Sequence, residues 1–359
     1  MKAGYGENLR PYLSTKTEIK EIIDFGELPV FKSASTFPSI LLTVKQEVPT
    51  QKVTFAQLKR LDYLSLDEEI KAIRTVIPEE SFKGTKWVIA SPEELQTLHK
   101  LSENTVELSR YVQGEIYYGI KTGRNPAFVI DTATKNRLIT QDPSSADLIV
   151  PFLNGDDIRK YRIDDKGQYL LLIKKGWTDQ NSGDSQNKWE WFKNNYPAIA
   201  NHLEPHAEKA KERSDKGDYW WELRACSYYD KFVESKIVYP EMAMTNRFVL
   251  DFNQYYLNKT CFFIPSSENY LLGLLNSKLI WFYLKHFCSV FGDAEKGGRL
   301  LQQTIYMEKI PIRPIDPANP ADVARHDRMV ALVEKMLDLN KRLAAAKAPH
   351  EREVLAGMI

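Results

Sequence analysis

Residues 125–128 read Asn-Pro-Ala-Phe. Such a set could grip the exocyclic amine of an extruded adenine, the Asn side chain and the next carbonyl accepting its hydrogen bonds while the aromatic stacks on the ring. The tetrapeptide that does this in amino-group methylation of a base is Asn-Pro-Pro-Tyr, and Ala127 replaces its second proline. The chemistry also needs S-adenosylmethionine, held by a Gly-rich turn after a first strand, with an acidic residue at the end of the next strand. Upstream only Gly4 and Gly6 cluster, with no strand before them. Downstream, "FGDAEKGGR" (291–299) is the only Gly-rich candidate, and it follows an apolar helical run instead of a strand. Neither order supplies a cofactor site, so catalysis by Asn125 is not expected.

A different chemistry suits the same stretch. In "GIKTGRN" (119–125), Gly119 and Gly123 permit close backbone approach, and Lys121, Thr122, Arg124 and Asn125 are donors to phosphates or base edges. Arg can contact guanine O6 and N7 together, and Asn can pair in the same way with adenine. "IKKGW" sets Lys174 and Lys175 beside Trp177, and a basic helical segment ending near Arg213 runs into "YWWELR", which ends at Arg224. Cations interleaved with aromatics suit a charged backbone bearing stackable bases. Trp and Tyr in strand-rich segments are commonly core residues, however, so at least one of Trp220 and Trp221 is expected to be structural. Thr245, Asn246 and Arg247 fall at a turn between two strands, and Lys296 and Arg299 flank paired glycines in a candidate phosphate-contacting loop.

The remaining chemistry-bearing residues point elsewhere. His202 and His206 lie at i and i+4, but no Glu completes a zincin motif, so a solvated helix face is the simpler reading and no metal is expected. Cys226, Cys261 and Cys288 are far apart and odd in number, which fits buried small hydrophobes better than disulfides or a metal site. With 49 Lys and Arg against 48 Asp and Glu, net charge neither supports nor excludes DNA, and any basic surface must arise by local segregation. No apolar run reaches about 18 residues, and "MKAGYGENLRPYL" lacks a signal peptide's apolar core and cleavage site. The chain is therefore expected in the cytoplasm, off the membrane.

These residues must be held by an α+β (mixed) scaffold of about two or three units. "IKEIIDFGELPVF" and "FPSILLTVK" read as paired strands after a short helix with Leu9, Tyr12 and Leu13 on one side. Residues 51–111 read as a helical connector, with Leu95, Leu98 and Leu101 on one face and Ser91-Pro92-Glu93-Glu94 as a helix start. Residues 112–314 alternate short strand signals with turns, interrupted by the helical insertions "WEWFKNNYPAIANHLEPHAEKAKERSD" and "NYLLGLLNSKLIWFYLKHF". In this frame Phe128 and Val129 open the first strand. After a Pro-rich hinge, 315–359 carries an amphipathic helix with Val323, Met329, Val330, Val333, Met336, Leu337, Leu339 and Leu343 to one side, suited to packing on its own domain or on a partner.

The order of segments resembles the TaqI-like C-terminal specificity domain, the target-recognition domain of type IIG and Eco57I-like restriction-modification enzymes. "GIKTGRNPAFVID" is followed by "LIVPFLNGDDIRKYRI", "YLLLIKKGW", "YPAIANHLEPHAEKAKER", "YWWELR", "KIVYPEMAMTNRFVLD", "LLGLLNSKLIWFYLK" and "EKIPI", spanning about 112–312. The first 50 residues, "GENLRPYLSTKTEIKEIIDFGELPVFKSASTFPSILLTV" within them, are similar to the last helix and strand pair of the amino-methyltransferase domain in the same enzymes. There the aromatic matching Phe31 stacks on the flipped adenine. Read from the residues alone, Phe31 is a core aromatic at a strand end.

The resemblance implies a sequence-specific DNA-recognition module, a C-terminal fragment with double-stranded DNA as partner and the rest of the methyltransferase, or a nuclease, as a second one. It implies no cofactor in this chain, with S-adenosylmethionine, and Mg2+ if a nuclease is present, serving the parent enzyme. Two alternatives stay open. One is a separate specificity subunit whose terminal helix docks on a methyltransferase. The other is an enzyme that binds a nucleotide or S-adenosylmethionine through the 291–299 loop.

Overall fold

The computed structural model describes residues 6–26, 28–31, 38–45, 52–82, 87–291 and 298–359. It is α+β throughout and divides into two compact units: Met1–Tyr111 with Met242–Thr245 and Ser277–Pro314, and Val112–Glu241 with Asn246–Asn276 and Ile315–Ile359.

The first unit is built on a four-stranded sheet in the order Ser39–Val44, Glu18–Asp24, Lys52–Gln57, Thr75–Pro78. Glu18–Asp24 runs antiparallel to Ser39–Val44 and parallel to Lys52–Gln57. A β-bulge between Ile19 and Glu21 breaks the alternation of the Glu18–Asp24 strand, so that Ile19 and Ile22 both join Val53 in one cluster with Ile77, Phe82 and Trp87. Ile23 and Ala56 go into another, closed by Ile70 of helix Leu66–Ile73. Helix Pro92–Ser102 starts at a capping box, Ser91 and Glu94 each bonding the other's backbone N–H. Among the described residues, an antiparallel set joins Met242–Ala243, Arg299–Leu301 and Val290–Phe291, and Val106–Glu107 pairs with Pro311–Ile312.

The second unit carries two four-stranded sheets. One runs Tyr256–Leu257, Ile149–Leu153, Gln168–Leu171, Val129–Asp131, and the other Val249–Asp251, Lys236–Pro240, Cys261–Ile264, Tyr117–Tyr118. A single core draws on both, including Phe152, Leu170, Phe192, Trp221, Phe232 and Phe263. Strands Lys236–Pro240, Val249–Asp251 and Cys261–Ile264 are short and buried at every position, because both their faces are covered and no polar face remains to alternate. Helix Pro320–Ala345 packs on Asn269–Leu275, so the C-terminal segment packs on its own unit. A further helix, Pro349–Met358, folds back on it around Leu339, Ala346 and Leu355.

Two element readings need correction. Phe128 is buried, but in a helical turn, Asn125–Phe128, that precedes strand Val129–Asp131: Pro126 sits at its first positions, where a missing N–H costs nothing. The apolar run "NYLLGLLNSKLIWFYLKHF" is two helices, because the Asn276 side chain bonds both Phe248 N–H and Phe248 C=O while Ser277 Oγ caps Lys278–Phe287 through Ile280 N–H. Residues 277–314 group with the first unit, where Pro311–Ile312 pairs with Val106–Glu107, while 315–359 groups with the second.

Candidate nucleic-acid interface

The turn at 119–125 is shaped by steric necessity. A Cβ on Gly119 would lie 2.0 Å from the Asn258 carbonyl oxygen, and the close approach lets Gly119 N–H donate to Cys261 O and Ile120 N–H to Leu257 O. The glycine thus seats the turn on the protein, a role different from approach to DNA. Gly123 takes φ +68°, a left-handed conformation that favours glycine. Thr122 is buried, donating through Oγ1 to Asn125 Oδ1 at 2.6 Å and accepting from Arg124 N–H at 3.2 Å. It fastens the turn and offers nothing to a ligand. Lys121, Arg124 and Asn125 are left outward or half-buried around it.

Arg213 corrects the sequence reading most sharply. It is buried, and its guanidinium donates to the carbonyls of Ala210 (3.2 Å), Asp215 (3.4 Å), Trp220 (2.6 Å) and Glu222 (3.0 Å), and also to Thr122 O. It lies 4.3 Å from the Phe128 ring centroid. Burial pushes its pKa down to about 10, so it stays charged at neutral pH. Its five donors are spent on main chain, stitching the 119–125 turn to the 213–222 segment.

A second stitch is Glu222, fully buried. Its carboxylate accepts from the N–H groups of Thr178 (3.0 Å), Gly176 (3.2 Å), Asp218 (2.9 Å) and Tyr219 (3.4 Å). Leu223 N–H adds a bond to Ile173 O. The three stretches that the sequence set apart by composition, 119–125, 173–177 and 219–224, are therefore one connected assembly.

The cations on that assembly differ in how they are held. Asp215 accepts from Lys121 (2.8 Å) and Arg224 (3.1 Å), one on each carboxylate oxygen, and the Lys121 hydrogen bond is the largest cause holding its pKa below the usual range. Lys175 pairs with Asp218 at 3.2 Å, and Lys174 sits 5.2 Å above the Tyr229 ring. Arg124 is half-buried, and its Nε is buried with no hydrogen-bond partner among the described residues. An unsatisfied donor of this kind is costly and wants an acceptor.

Trp177 packs into an aromatic group with Trp191, Phe192 and Tyr196, and Trp221 is buried against Trp189 and Tyr219. Trp220 packs on Trp189 and Trp221 as well, and both it and Trp177 keep partial exposure. Asn246 is buried, its amide donating to Leu275 O at 2.6 Å, so it holds a helix end and cannot read a base. Arg247, half-buried, follows it in the second unit, and Thr245 is exposed in the first.

Arg299 is exposed in strand Arg299–Leu301, and Lys296 lies outside the described residues. Phe31 is 56% exposed and is no core aromatic. His202 donates through Nε2–H to Ala127 O at 3.2 Å, and burial lowers its pKa. It is packed, not part of a solvated face, and no group of metal-binding side chains occurs among the described residues. Among the same residues no helix is long and apolar enough to cross a membrane.

Sequence reasoning missed Asp215 and Glu222, which lie inside "SDKGDYWWELR" as unremarked acids among cations and aromatics. The local excess of acid beside Lys and Arg was the available signal, but it does not distinguish a solvated pair from a buried clasp.

Comparison with known proteins gives this assembly a context. Residues 150–312 match the TaqI-like C-terminal specificity domain. The 119–125 turn precedes the matched span and is tied to it through Arg213, Asn258 and Cys261. The chain is 23% identical over 328 residues to the type II methyltransferase M.BstVI of Geobacillus stearothermophilus, covering 86% of this chain and 55% of that protein. It is 20% identical over 382 residues to the type II restriction enzyme and methyltransferase RM.Eco57I of Escherichia coli, covering 98% and 37%. The chain thus spans about half or less of these relatives. In fold it is similar to the type IIL restriction-modification enzyme MmeI, solved in complex with DNA, with a TM-score of 0.50 and 14% identity over 96% of this chain and 42% of that one. Residues 150–312 are thus similar to a TaqI-like C-terminal specificity domain, in a chain that resembles type II methyltransferases and Eco57I-like restriction-modification enzymes.

Proposed function

We propose that the chain is a sequence-specific DNA-recognition module that positions a target adenine for N6 methylation by catalytic machinery outside these residues. The observation that carries this reading is the connected assembly of 119–125, 173–177 and 219–224, which presents Lys121, Arg124, Lys174, Lys175 and Arg224 from loops clamped by two buried side chains. Rigid presentation of Arg is what base readout requires, since a bidentate contact to guanine tolerates little displacement. The specificity-domain match and the DNA complex of a structural neighbour support the same ligand class. Thr245, Arg247 and Arg299 are the further candidate contacts, and Phe31, exposed at the end of the Glu18–Asp24 and Ser39–Val44 strand pair, is the candidate for stacking on an extruded adenine.

S-adenosylmethionine would serve the parent enzyme, as would Mg2+ if a nuclease is present. The described residues that flank the 291–299 loop do not fit the cofactor. The described ends of the 291–299 loop are antiparallel strands, Val290–Phe291 and Arg299–Leu301, whereas a phosphate- or cofactor-cradling turn leads from a strand into a helix N-terminus. That geometry disfavours the nucleotide-binding alternative. Packing of Pro320–Ala345 on Asn269–Leu275 and Pro349–Met358 gives the terminal helix partners within its own unit and weakens the case for a docking subunit.

The test uses the full chain and a duplex carrying its preferred site. Arg124→Ala should weaken binding by roughly 1–3 kcal/mol and relax preference at one base pair. Arg247→Ala should weaken binding to all duplexes alike and reduce the salt slope by about one. Fluorescence anisotropy across salt concentrations reads both, and wild-type affinity in both variants at every salt concentration would remove these assignments.

A further inference from the structure

Beside the 119–125 turn lies a cleft of about 160 Å³ whose lining includes Tyr118, Lys121, Arg224, Ser227 and Tyr228. Tyr118 is 43% exposed, and Tyr228 crosses it edge-on at 5.9 Å while donating through its hydroxyl to Tyr118 O. One wall is thus aromatic. The other is cationic: Lys121 and Arg224 come from different loops, are 47% and 41% exposed, and meet on the two oxygens of Asp215, itself only 13% exposed.

Two cations on one carboxylate leave one positive charge in excess, matching the single negative charge of a phosphodiester. A guanidinium fork and a compact ammonium are complementary donors to its oxygens. The aromatic wall offers the apolar surface that an adjoining deoxyribose would cover. Asp215 is fixed from behind, because its backbone carbonyl accepts from the buried Arg213 that also holds Thr122 O.

Resting on the DNA-recognition reading, we infer that this cleft is a binding site for a backbone phosphate of duplex DNA. Lys121 and Arg224 are its donors, and Asp215 is a positioning residue that holds the two cations together before the phosphate arrives. The inference makes a prediction against simple electrostatics. Removing a carboxylate from a DNA-binding face raises its positive charge and should tighten binding. If Asp215 positions, its loss leaves two like charges on flexible side chains that repel and must be ordered anew, and binding should weaken.

The experiment measures binding of the full chain to a labelled mixed-sequence duplex across salt concentrations, since phosphate contacts do not depend on sequence. Asp215→Asn should weaken binding roughly tenfold at low salt and flatten the salt slope, Asp215→Glu should restore most of both, and Asp215→Asn should add nothing to a Lys121→Ala/Arg224→Ala background. Wild-type or tighter binding by Asp215→Asn overturns the positioning role. If that variant is unstable, the Lys121→Ala/Arg224→Ala protein decides, and its wild-type affinity and slope would overturn the site. A wild-type chain that binds no duplex at low salt sinks the DNA-recognition reading itself, and the site with it.

Discussion

Lys236→Met should lower the stability of the chain by about 3–5 kcal/mol, the cost of leaving one member of a buried ion pair alone. Lys236 and Asp251 face each other across adjacent strands and neither side chain is exposed at all. The ammonium also donates to Phe232 O at 2.6 Å, and the carboxylate accepts from Asn253 N–H (2.7 Å) and Tyr255 N–H (3.0 Å). Burial depresses the Lys236 pKa while Asp251 opposes that fall. The pair is costly to create and costlier to break, since the surviving carboxylate has no water to turn to.

The effect reaches the interface by a short route. Lys236–Pro240 pairs with Cys261–Ile264, which pairs with Tyr117–Tyr118, the strand that enters the 119–125 turn. Urea unfolding followed by far-UV circular dichroism measures the loss. The compensated variant Lys236→Met/Asp251→Asn should recover at least half of it, because no charge is then stranded and Asn retains an acceptor for the loop N–H groups. A loss below about 1 kcal/mol in the single variant would show that the pair is dispensable.

The second large effect is expected at Glu222. Glu222→Ala strips four buried or half-buried N–H groups of their acceptor and leaves a void beside them, a combined cost of about 3–5 kcal/mol. Glu222→Gln keeps one acceptor oxygen and should cost about half as much. Stability alone does not define the prediction. The four donors come from 176–178 and 218–219, so losing their shared acceptor frees the Lys174–Lys175 loop from the "YWWELR" segment. At a temperature where Glu222→Gln remains folded, DNA affinity should therefore fall while the unfolding transition stays cooperative. Unchanged affinity in a folded Glu222→Gln protein would mean that the clasp supports the core and not the interface.

Much of this was visible in the sequence, for definable reasons. The glycines, the basic-aromatic runs and the strand signals mark where the loops are, because turn chemistry and hydrophobic runs are local properties. The helix start at Ser91 and the pairing of 18–24 with 39–44 followed from local pattern in the same way. Burial of a charged side chain is not local. Arg213 and Arg224 carry the same charge eleven residues apart, yet the first donates to five carbonyls from 122, 210, 215, 220 and 222 and the second stays 41% exposed. Backbone acceptors are the same at every residue, so the sequence cannot show where five of them converge. For the same reason Thr122 and Asn246 looked like ligand contacts and are internal fastenings. Asn276 and Ser277 escaped notice as a helix break because the flanking leucines continue the apolar period across them.

The central claim, that this chain reads duplex DNA, is tested most directly by selection from a pool of randomised duplexes with the purified full-length chain at near-physiological salt, read by sequencing. The account predicts enrichment of a single asymmetric motif, with Arg124→Ala losing preference at one of its positions and keeping the rest. Recovery of an unenriched pool by the wild-type chain at the salt concentration where it still binds DNA would contradict it.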